Sequence, residues 1–169
     1  MRDGAADSVA AVARLVRARN EIDGEISRII NRPVLTGRLG DWLASQLFDI
    51  DFEPSASDGF HGRFASGSLA ARTVDTRWLG ARDGNLDLRS PAGLDFCLVF
   101  TGPQALALTS RGVVRPLRID ACHLFDARRP DARPGVLASE WEAAEVFPRA
   151  NNPLLEVEPE ARALLGLFG

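Results

Sequence analysis

The chain has 169 residues, of which 46% are hydrophobic and 25% charged, and 20 cationic against 23 acidic side chains give a net charge of −3. Every cation is an arginine, because the sequence contains no lysine, and tyrosine is absent as well. These absences exclude Schiff-base enzymes, lysine-dependent phosphate loops and phenolic acid–base catalysis. The length favours a single domain over residues 1–169. The charge excludes a protein that coats nucleic acid by bulk attraction, so a polyanion would need a local basic patch.

Cellular location is predicted from the apolar runs and the cysteines. No run approaches the roughly 20 apolar residues that a membrane helix needs, and the charged N-terminus is not followed by the apolar run of a secretory signal. Cys97 and Cys122 are therefore expected to be buried thiols in a reducing compartment. The sequence predicts a cytoplasmic protein without a membrane partner.

Two helices are predicted at the N-terminal end. Residues 8–31 carry apolar side chains at helical spacing, which predicts one long amphipathic helix. Its predicted inward face consists of Val9, Val12, Val16, Ile22, Ile26, Ile29 and Ile30. A second helix is predicted from Thr36 to Phe48, with an inward face of Leu39, Trp42, Leu43 and Leu47.

The middle of the chain changes to the period of two that is typical of strands. The predicted strands are Ile50–Glu53, Gly62–Phe64, Arg72–Leu79, Leu94–Thr101 and Arg115–Phe125. In Arg72–Leu79, alternation places Asp75 and Arg77 on the face opposite Thr76 and Trp78. The nearly continuous apolar run of Leu94–Thr101 predicts a central strand that is buried on both faces.

The C-terminal part returns to helical patterns. Residues 128–135 are predicted to form an exposed loop, because they contain three arginines and two prolines. The run Ser139-Glu140-Trp141-Glu142 matches a capping box and predicts a helix that ends near Pro148, and Pro159–Leu167 predicts a last short helix. This order predicts an α+β fold with N-terminal helices, a central mixed but mostly antiparallel sheet, and C-terminal helices.

Three segments carry the residues of a candidate site: Gly37–Ala44, Ser57–Phe64 and Thr73–Trp78. Together they resemble a family of small uncharacterised bacterial domains and, through it, the restriction-endonuclease-like superfamily with its PD-(D/E)xK signature. The resemblance implies a restriction-endonuclease-like architecture. In that superfamily a helix supplies a glutamate, a turn supplies an aspartate, and the following strand supplies the D/E-x-K residues.

The resemblance assigns a role to each matching position. Asp41 corresponds to the helix glutamate, His61 to the turn aspartate, Asp75 to the D/E position and Arg77 to the lysine. It thus implies a catalytic group of all four, a site for Mg²⁺ or Mn²⁺ held by Asp41, His61 and Asp75, and no organic cofactor. Arg38, Arg63 and Arg77 would contact the phosphates of DNA or RNA.

Three of the four positions differ from the signature in ways that affect the chemistry. Imidazole is a poor ligand for Mg²⁺, and Arg77 cannot be deprotonated or act as a compact point charge. Asp41 is also one methylene shorter than glutamate. The sequence therefore predicts a nucleic-acid-binding domain with a weak or inactive nuclease site. Whether Arg77 reflects lost activity or the general avoidance of lysine is left open.

A second hypothesis is a non-enzymatic protein-interaction domain. Residues 138–169 contain six glutamates and two arginines, so this end should repel nucleic acid and favour a protein contact. In this hypothesis the long N-terminal helix or the acidic C-terminal segment binds a protein partner or another copy of the chain. The two hypotheses differ in whether the carboxylates of Asp41 and Asp75 converge in one concave site.

Overall fold

The fold was examined in a computed structural model, which describes residues 5–30, 39–52, 62–79, 86, 93–102, 118–128 and 136–169. Helices and strands follow one another in the order that the sequence predicts, except for a short strand between the last two helices. In chain order they are α1 (Ala5–Ile30), α2 (Leu39–Leu47), β1 (Ile50–Phe52), β2 (Gly62–Phe64), a 3₁₀ turn (Gly67–Leu69), β3 (Thr73–Leu79), β4 (Phe96–Thr101), β5 (Ala121–Asp126), α3 (Ala138–Ala144), β6 (Glu145–Phe147) and α4 (Pro159–Gly166).

The six strands form one mixed sheet in the order β1-β2-β3-β4-β5-β6. Strands β3 and β4 are parallel, and the other four neighbouring pairs are antiparallel. Every residue of β4 is buried, as the apolar run of this strand predicts. The predicted α+β fold with a mostly antiparallel mixed sheet is confirmed.

Helices cover both faces of this sheet. On one face, which we call the three-helix face, α1, α2 and α4 pack on alternate residues of β4, Phe96, Leu98 and Phe100. The other face, the α3 face, has a smaller core in which Cys97 and Val99 pack with Trp141 of α3. Because successive strand residues point to opposite faces, each residue of β3 is assigned to one core or the other by its position.

The parallel pair β3 and β4 is joined at its beginning by polar contacts. The carboxylate of Asp95 accepts hydrogen bonds from the backbone N–H of Thr73 at 3.0 Å and from its hydroxyl at 3.2 Å. The hydroxyl of Thr73 in turn accepts the backbone N–H of Asp95 at 2.7 Å. Burial raises the pKa of Asp95, but these bonds and the nearby Arg72 and Arg128 outweigh it and lower the pKa.

Helices α1 and α4 pack against each other although they lie far apart in sequence. Val9, Ala13 and Val16 of α1 are buried in the core that also contains Leu164 and Leu165 of α4. A guanidinium nitrogen of Arg17 donates to the backbone carbonyl of Leu167 at 2.8 Å, across 150 positions of sequence. The two ends of the described chain are therefore held together.

Three details of the helix predictions are wrong. Ile22 was predicted to face inward on α1, yet its side chain is 56% exposed; those of Ile26, Ile29 and Ile30 lie outside the described side chains. The helix predicted to extend to Pro148 ends at Ala144, and residues 145–147 pair with β5 instead. The residue before a proline is disfavoured in helical geometry, and Val146 and Phe147 favour strands.

The start of α3 also differs from the predicted capping box. The helix begins at Ala138, with Leu137 at the N-cap in place of Ser139. The carboxylate of Glu140 accepts the backbone N–H of Leu137 at 2.7 Å. Half of a capping box is therefore present, because leucine has no side-chain oxygen for the reciprocal bond. Of the predicted strand Arg115–Phe125, residues 115–117 lie outside the described chain, and residues 118–120 are not in a strand because β5 begins at Ala121.

Candidate functional site

Asp75 and Arg77 lie on strand β3 and project from the α3 face. In the parallel register Asp75 is beside Cys97 and Arg77 beside Val99, and both neighbours belong to the α3-face core. The guanidinium of Arg77 donates from Nε to Oδ2 of Asp75 at 3.1 Å. The two side chains are partly exposed, and this ion pair joins them along the strand. The alternation predicted for this strand is confirmed.

Asp41 lies in the first turn of α2, which packs on the three-helix face. A Cβ atom built on the neighbouring Gly40 would lie 3.7 Å from Cβ of Trp78 and 3.8 Å from Cγ2 of Thr76. Thr76 and Trp78 are the residues of β3 that alternate with Asp75 and Arg77. The helix that carries Asp41 thus covers one face of the sheet, while Asp75 projects from the other, so the structure does not bring the two predicted metal ligands together.

The remaining predicted site residues fall into two groups. His61 and Arg38 lie outside the described residues. Arg63 is exposed on β2, beside Thr73 in the antiparallel register, and its guanidinium donates to the carbonyl of Ala71 at 3.4 Å. Neighbours in register share a face, so Arg63 lies on the same face as Asp75 and Arg77. Two of the three predicted phosphate-binding arginines are therefore on one face of the sheet.

The described residues do not fit the metal that the resemblance implies. Two or three carboxylate or imidazole ligands would have to converge on one ion. Within the described part of the chain, no three histidine, cysteine, aspartate or glutamate side chains are grouped in that way. Asp41 and Asp75 are separated by the sheet, so these two carboxylates do not hold one ion together.

The two thiols lie on opposite faces of the sheet. Cys97 belongs to the α3-face core and Cys122 to the three-helix core. Burial raises the pKa of Cys97 to about 12 and raises that of Cys122 as well. Both are buried free thiols, as the sequence predicts. Neither side chain has the low thiol pKa of a reactive cysteine.

A buried polar group beneath α3 was missed by the sequence analysis. His123 is fully buried, with Nδ1 at 3.0 Å from the backbone carbonyl of Trp141 and Nε2 at 3.5 Å from the hydroxyl of Thr101. A bond to that carbonyl requires a proton on Nδ1. The ring is enclosed between Phe125 and Trp141. No spacing of residues signalled this contact, because it joins β5 to a helix 18 positions later.

Glu145 lies beside His123 in the sheet register and is only 1% exposed. Its carboxylate accepts two bonds from the guanidinium of Arg149, at 3.1 and 2.9 Å, and one from the Arg149 backbone at 3.1 Å. Burial raises the pKa of Glu145, but the bonds to Arg149 outweigh it and lower the pKa. Glu145 also accepts backbone bonds from Asn151 and Asn152 through its carbonyl. This arrangement fixes the turn after β6.

A cleft of about 280 Å³ lies between the end of α2, the turn after β2 and the start of α4. Phe48, Phe64 and Val157 line its apolar part, and Asp49, Glu156 and Glu158 are its acidic residues. Among the described lining residues there is no cation. This composition is unfavourable for a phosphate group.

Helix α1 exposes apolar side chains on the side opposite its buried residues. Leu15 is 60% exposed and Ile22 56% exposed, and they are seven positions apart on the helix. Ala11 and Ala18, which are also exposed, lie between and beside them. We call Ala11, Leu15, Ala18 and Ile22 the α1 stripe. Because residues seven apart lie on one side of a helix, the stripe is continuous.

None of the described helices combines the length and apolar character that crossing a membrane requires.

Comparisons with known proteins give no further assignment. The chain has no match among family models, curated proteins or solved structures.

Proposed function

We propose that this protein acts by binding another protein through the α1 stripe. The observation that supports the proposal is the exposure of Leu15 and Ile22 on a helix whose other side is already buried in the core. A single exposed leucine is common on protein surfaces, but four apolar residues on one helix side form a patch. Burying such a patch against a partner is favourable in proportion to the apolar area removed from water.

The chemistry of the stripe selects the kind of partner. Its residues follow one another at steps of four, three and four, the spacing with which one helix packs along another. The small side chains of Ala11 and Ala18 leave room for larger ones from the facing helix. The occupant that fits is therefore an amphipathic helix with leucine or isoleucine along its contact side.

A photo-cross-linking residue placed in the full chain tests this proposal. It is introduced at Ala18 on the stripe and, as a matched control, at Ala143, an exposed position on α3. We expect one dominant cross-linked species from Ala18, mapped to a helical segment of the partner. This species should be lost when Leu15→Arg and Ile22→Arg are added. Equal cross-linking from both positions, or a yield that the arginine changes leave unaltered, would overturn the proposal.

Nucleic-acid binding is the second candidate, because Arg63 and Arg77 lie on one face of the sheet. Guanidinium groups on one surface can contact successive phosphates. A mobility-shift titration compares the native chain with Arg63→Ala plus Arg77→Ala, and binding must weaken with salt and with the substitutions. Cleavage of DNA or RNA with Mg²⁺ or Mn²⁺, compared between the native chain and Asp75→Ala, tests the nuclease expectation. Equal results for native and substituted chains in both assays exclude this candidate.

A further inference from the structure

The apolar residues of α1 form two stripes on opposite sides of the helix. Val9, Ala13 and Val16 are buried in the core, and the α1 stripe points away from it. Each residue advances about 100° around the helix axis. The centre of the α1 stripe therefore lies more than about 120° from the centre of the buried set, whichever way around the axis the angle is measured. A helix packed against the α1 stripe therefore approaches from outside the molecule and does not meet α2 or α4.

Charged residues follow one edge of the α1 stripe with a seven-residue period. Asp7, Arg14, Glu21 and Arg28 lie along this edge, so the charges alternate between negative and positive. All four side chains are exposed. Residues that flank the apolar contact of two packed helices face each other across it, and they determine the partner and its orientation.

We propose that a second copy of this chain covers the α1 stripe, with the two α1 helices antiparallel across a two-fold axis. This inference rests on the proposed function, because it names the partner of the same surface. In one antiparallel register Leu15 packs against Ala18 of the partner subunit, and Ile22 packs against Ala11 of the partner subunit. Large and small side chains thus alternate along the contact and fill it.

The same register pairs opposite charges along the edge. Arg14 faces Glu21 of the partner subunit, and Asp7 faces Arg28 of the partner subunit. The two-fold axis repeats both pairs, which gives four favourable contacts. A parallel pair of helices would place Arg14 opposite Arg19 of the partner subunit, where two cations repel each other. The charge pattern therefore selects the antiparallel arrangement.

On the other edge the same register places Arg19 beside Val12 of the partner subunit, so no like charges meet there. Each Arg19 pairs with Asp23 of its own helix, Nε to Oδ2 at 3.2 Å. The contact is confined to one helix from each copy, so we expect a weak dimer. Monomer and dimer should exchange rapidly on dilution.

Sedimentation equilibrium of the full chain with charge-reversal variants tests this inference. Arg14→Glu alone and Glu21→Arg alone each place like charges together at two sites and should weaken dimerisation about tenfold, whereas the double variant should restore it. Because residues 14 and 21 are exposed and seven apart, the changes leave the core intact. A parallel dimer gives the opposite sign for Arg14→Glu, and this result would overturn the arrangement.

Leu15→Arg should abolish dimerisation, while Leu137→Arg, at a leucine 51% exposed beside α3, should not. Circular dichroism checks that each variant is folded. A native chain that stays monomeric at every concentration contradicts the inference. If Ala18 then still cross-links to another protein in a Leu15-dependent way, only the self-association fails. If no such cross-link forms either, the proposed function fails with it.

Discussion

Thr76 and Thr101 lie on the neighbouring strands β3 and β4, and their hydroxyls differ in hydrogen bonding. Within the described part of the chain, the buried hydroxyl oxygen of Thr76 has no hydrogen-bond partner. The hydroxyl of Thr101 donates to the backbone carbonyl of Ala121 at 3.3 Å and faces His123. Burying a hydroxyl without a hydrogen-bond partner lowers the free energy of unfolding. Valine has a similar shape and no hydroxyl, so it avoids this cost.

We therefore expect Thr76→Val to raise the free energy of unfolding by about 1 kcal/mol and Thr101→Val to lower it by about 1 kcal/mol. Urea denaturation of the two variants beside the native chain measures both changes. If Thr76→Val were destabilising, the hydroxyl would have a partner that the described contacts do not include.

Glu145 provides a prediction about pH. Its pKa is lower in the folded state than its ordinary value, so its contribution to stability is present above the ordinary carboxyl range and is lost as pH falls through the folded pKa. Glu145→Gln removes the charge but keeps the shape. At neutral pH we expect this variant to be less stable by about 1.5 kcal/mol, because charged hydrogen bonds to Arg149 are lost.

Thermal denaturation as a function of pH measures this effect. The difference between the native chain and Glu145→Gln should shrink as pH falls and disappear once the native carboxylate is protonated. Glu156→Gln, at an exposed position, is the control and should show little difference at any pH. A difference for Glu145→Gln that does not change with pH would show that the carboxylate charge is not its cause.

The sequence could predict part of the candidate site at this scale. Strand alternation correctly placed Asp75 and Arg77 on one face and Thr76 and Trp78 on the other. It could not show which of these faces α2 covers, because the side on which a helix packs depends on the whole core. Glu145 and His123 were missed for the same reason, since their partners belong to elements that meet only in the folded chain.

At the scale of elements, two glycines have different roles. A Cβ on Gly62 in β2 would lie 2.7 Å from Cγ2 of Ile50 and 3.1 Å from Cε1 of Phe52. The side chains of Ile50 and Phe52 cross over this position, so a side chain on residue 62 would force them to move. A Cβ on Gly24 in α1 would have no atom within 4 Å beyond its own helix backbone.

Gly62→Ala should therefore lower the free energy of unfolding by about 2 kcal/mol, because Ile50 and Phe52 must move. Gly24→Ala should raise it by about 1 kcal/mol through helix propensity. Urea denaturation of both variants separates the two effects. Equal changes in the two variants would mean that backbone freedom, and not contact with β1, determines the cost at residue 62.

Element boundaries show where local patterns stop being informative. Residues 138–147 contain several good helix formers, and the sequence predicted one helix through them, but the pairing with β5 decides where it ends. In α1 the spacing of Ile22 fits a helix correctly, and only the side is wrong. The spacing of apolar residues identified the helix. It could not show which of the two apolar stripes is buried, because that depends on the elements that pack against α1.

At the scale of the whole molecule, the order of patterns was enough to predict the α+β class. Helical periods, then strand periods, then helical periods leave few arrangements other than a sheet with helices packed on it. The restriction-endonuclease-like label stays a prediction. The parallel pairing of β3 and β4 was not predicted, because β3 alternates like an antiparallel strand and the apolar run of β4 indicates burial on both faces but not the direction of its neighbour.

The contact between α1 and α4 has a consequence for synthesis on the ribosome. Each strand of the sheet pairs with the next one in the chain, so the sheet can grow as successive segments emerge. Helix α1 is translated before any of them, whereas the residues of α4 that pack against it are translated after all six strands. Until α4 has been made, part of the core side of α1 is uncovered in addition to the α1 stripe. The nascent chain therefore exposes apolar surface on α1 while the sheet is being translated, and chaperones are expected to bind it there.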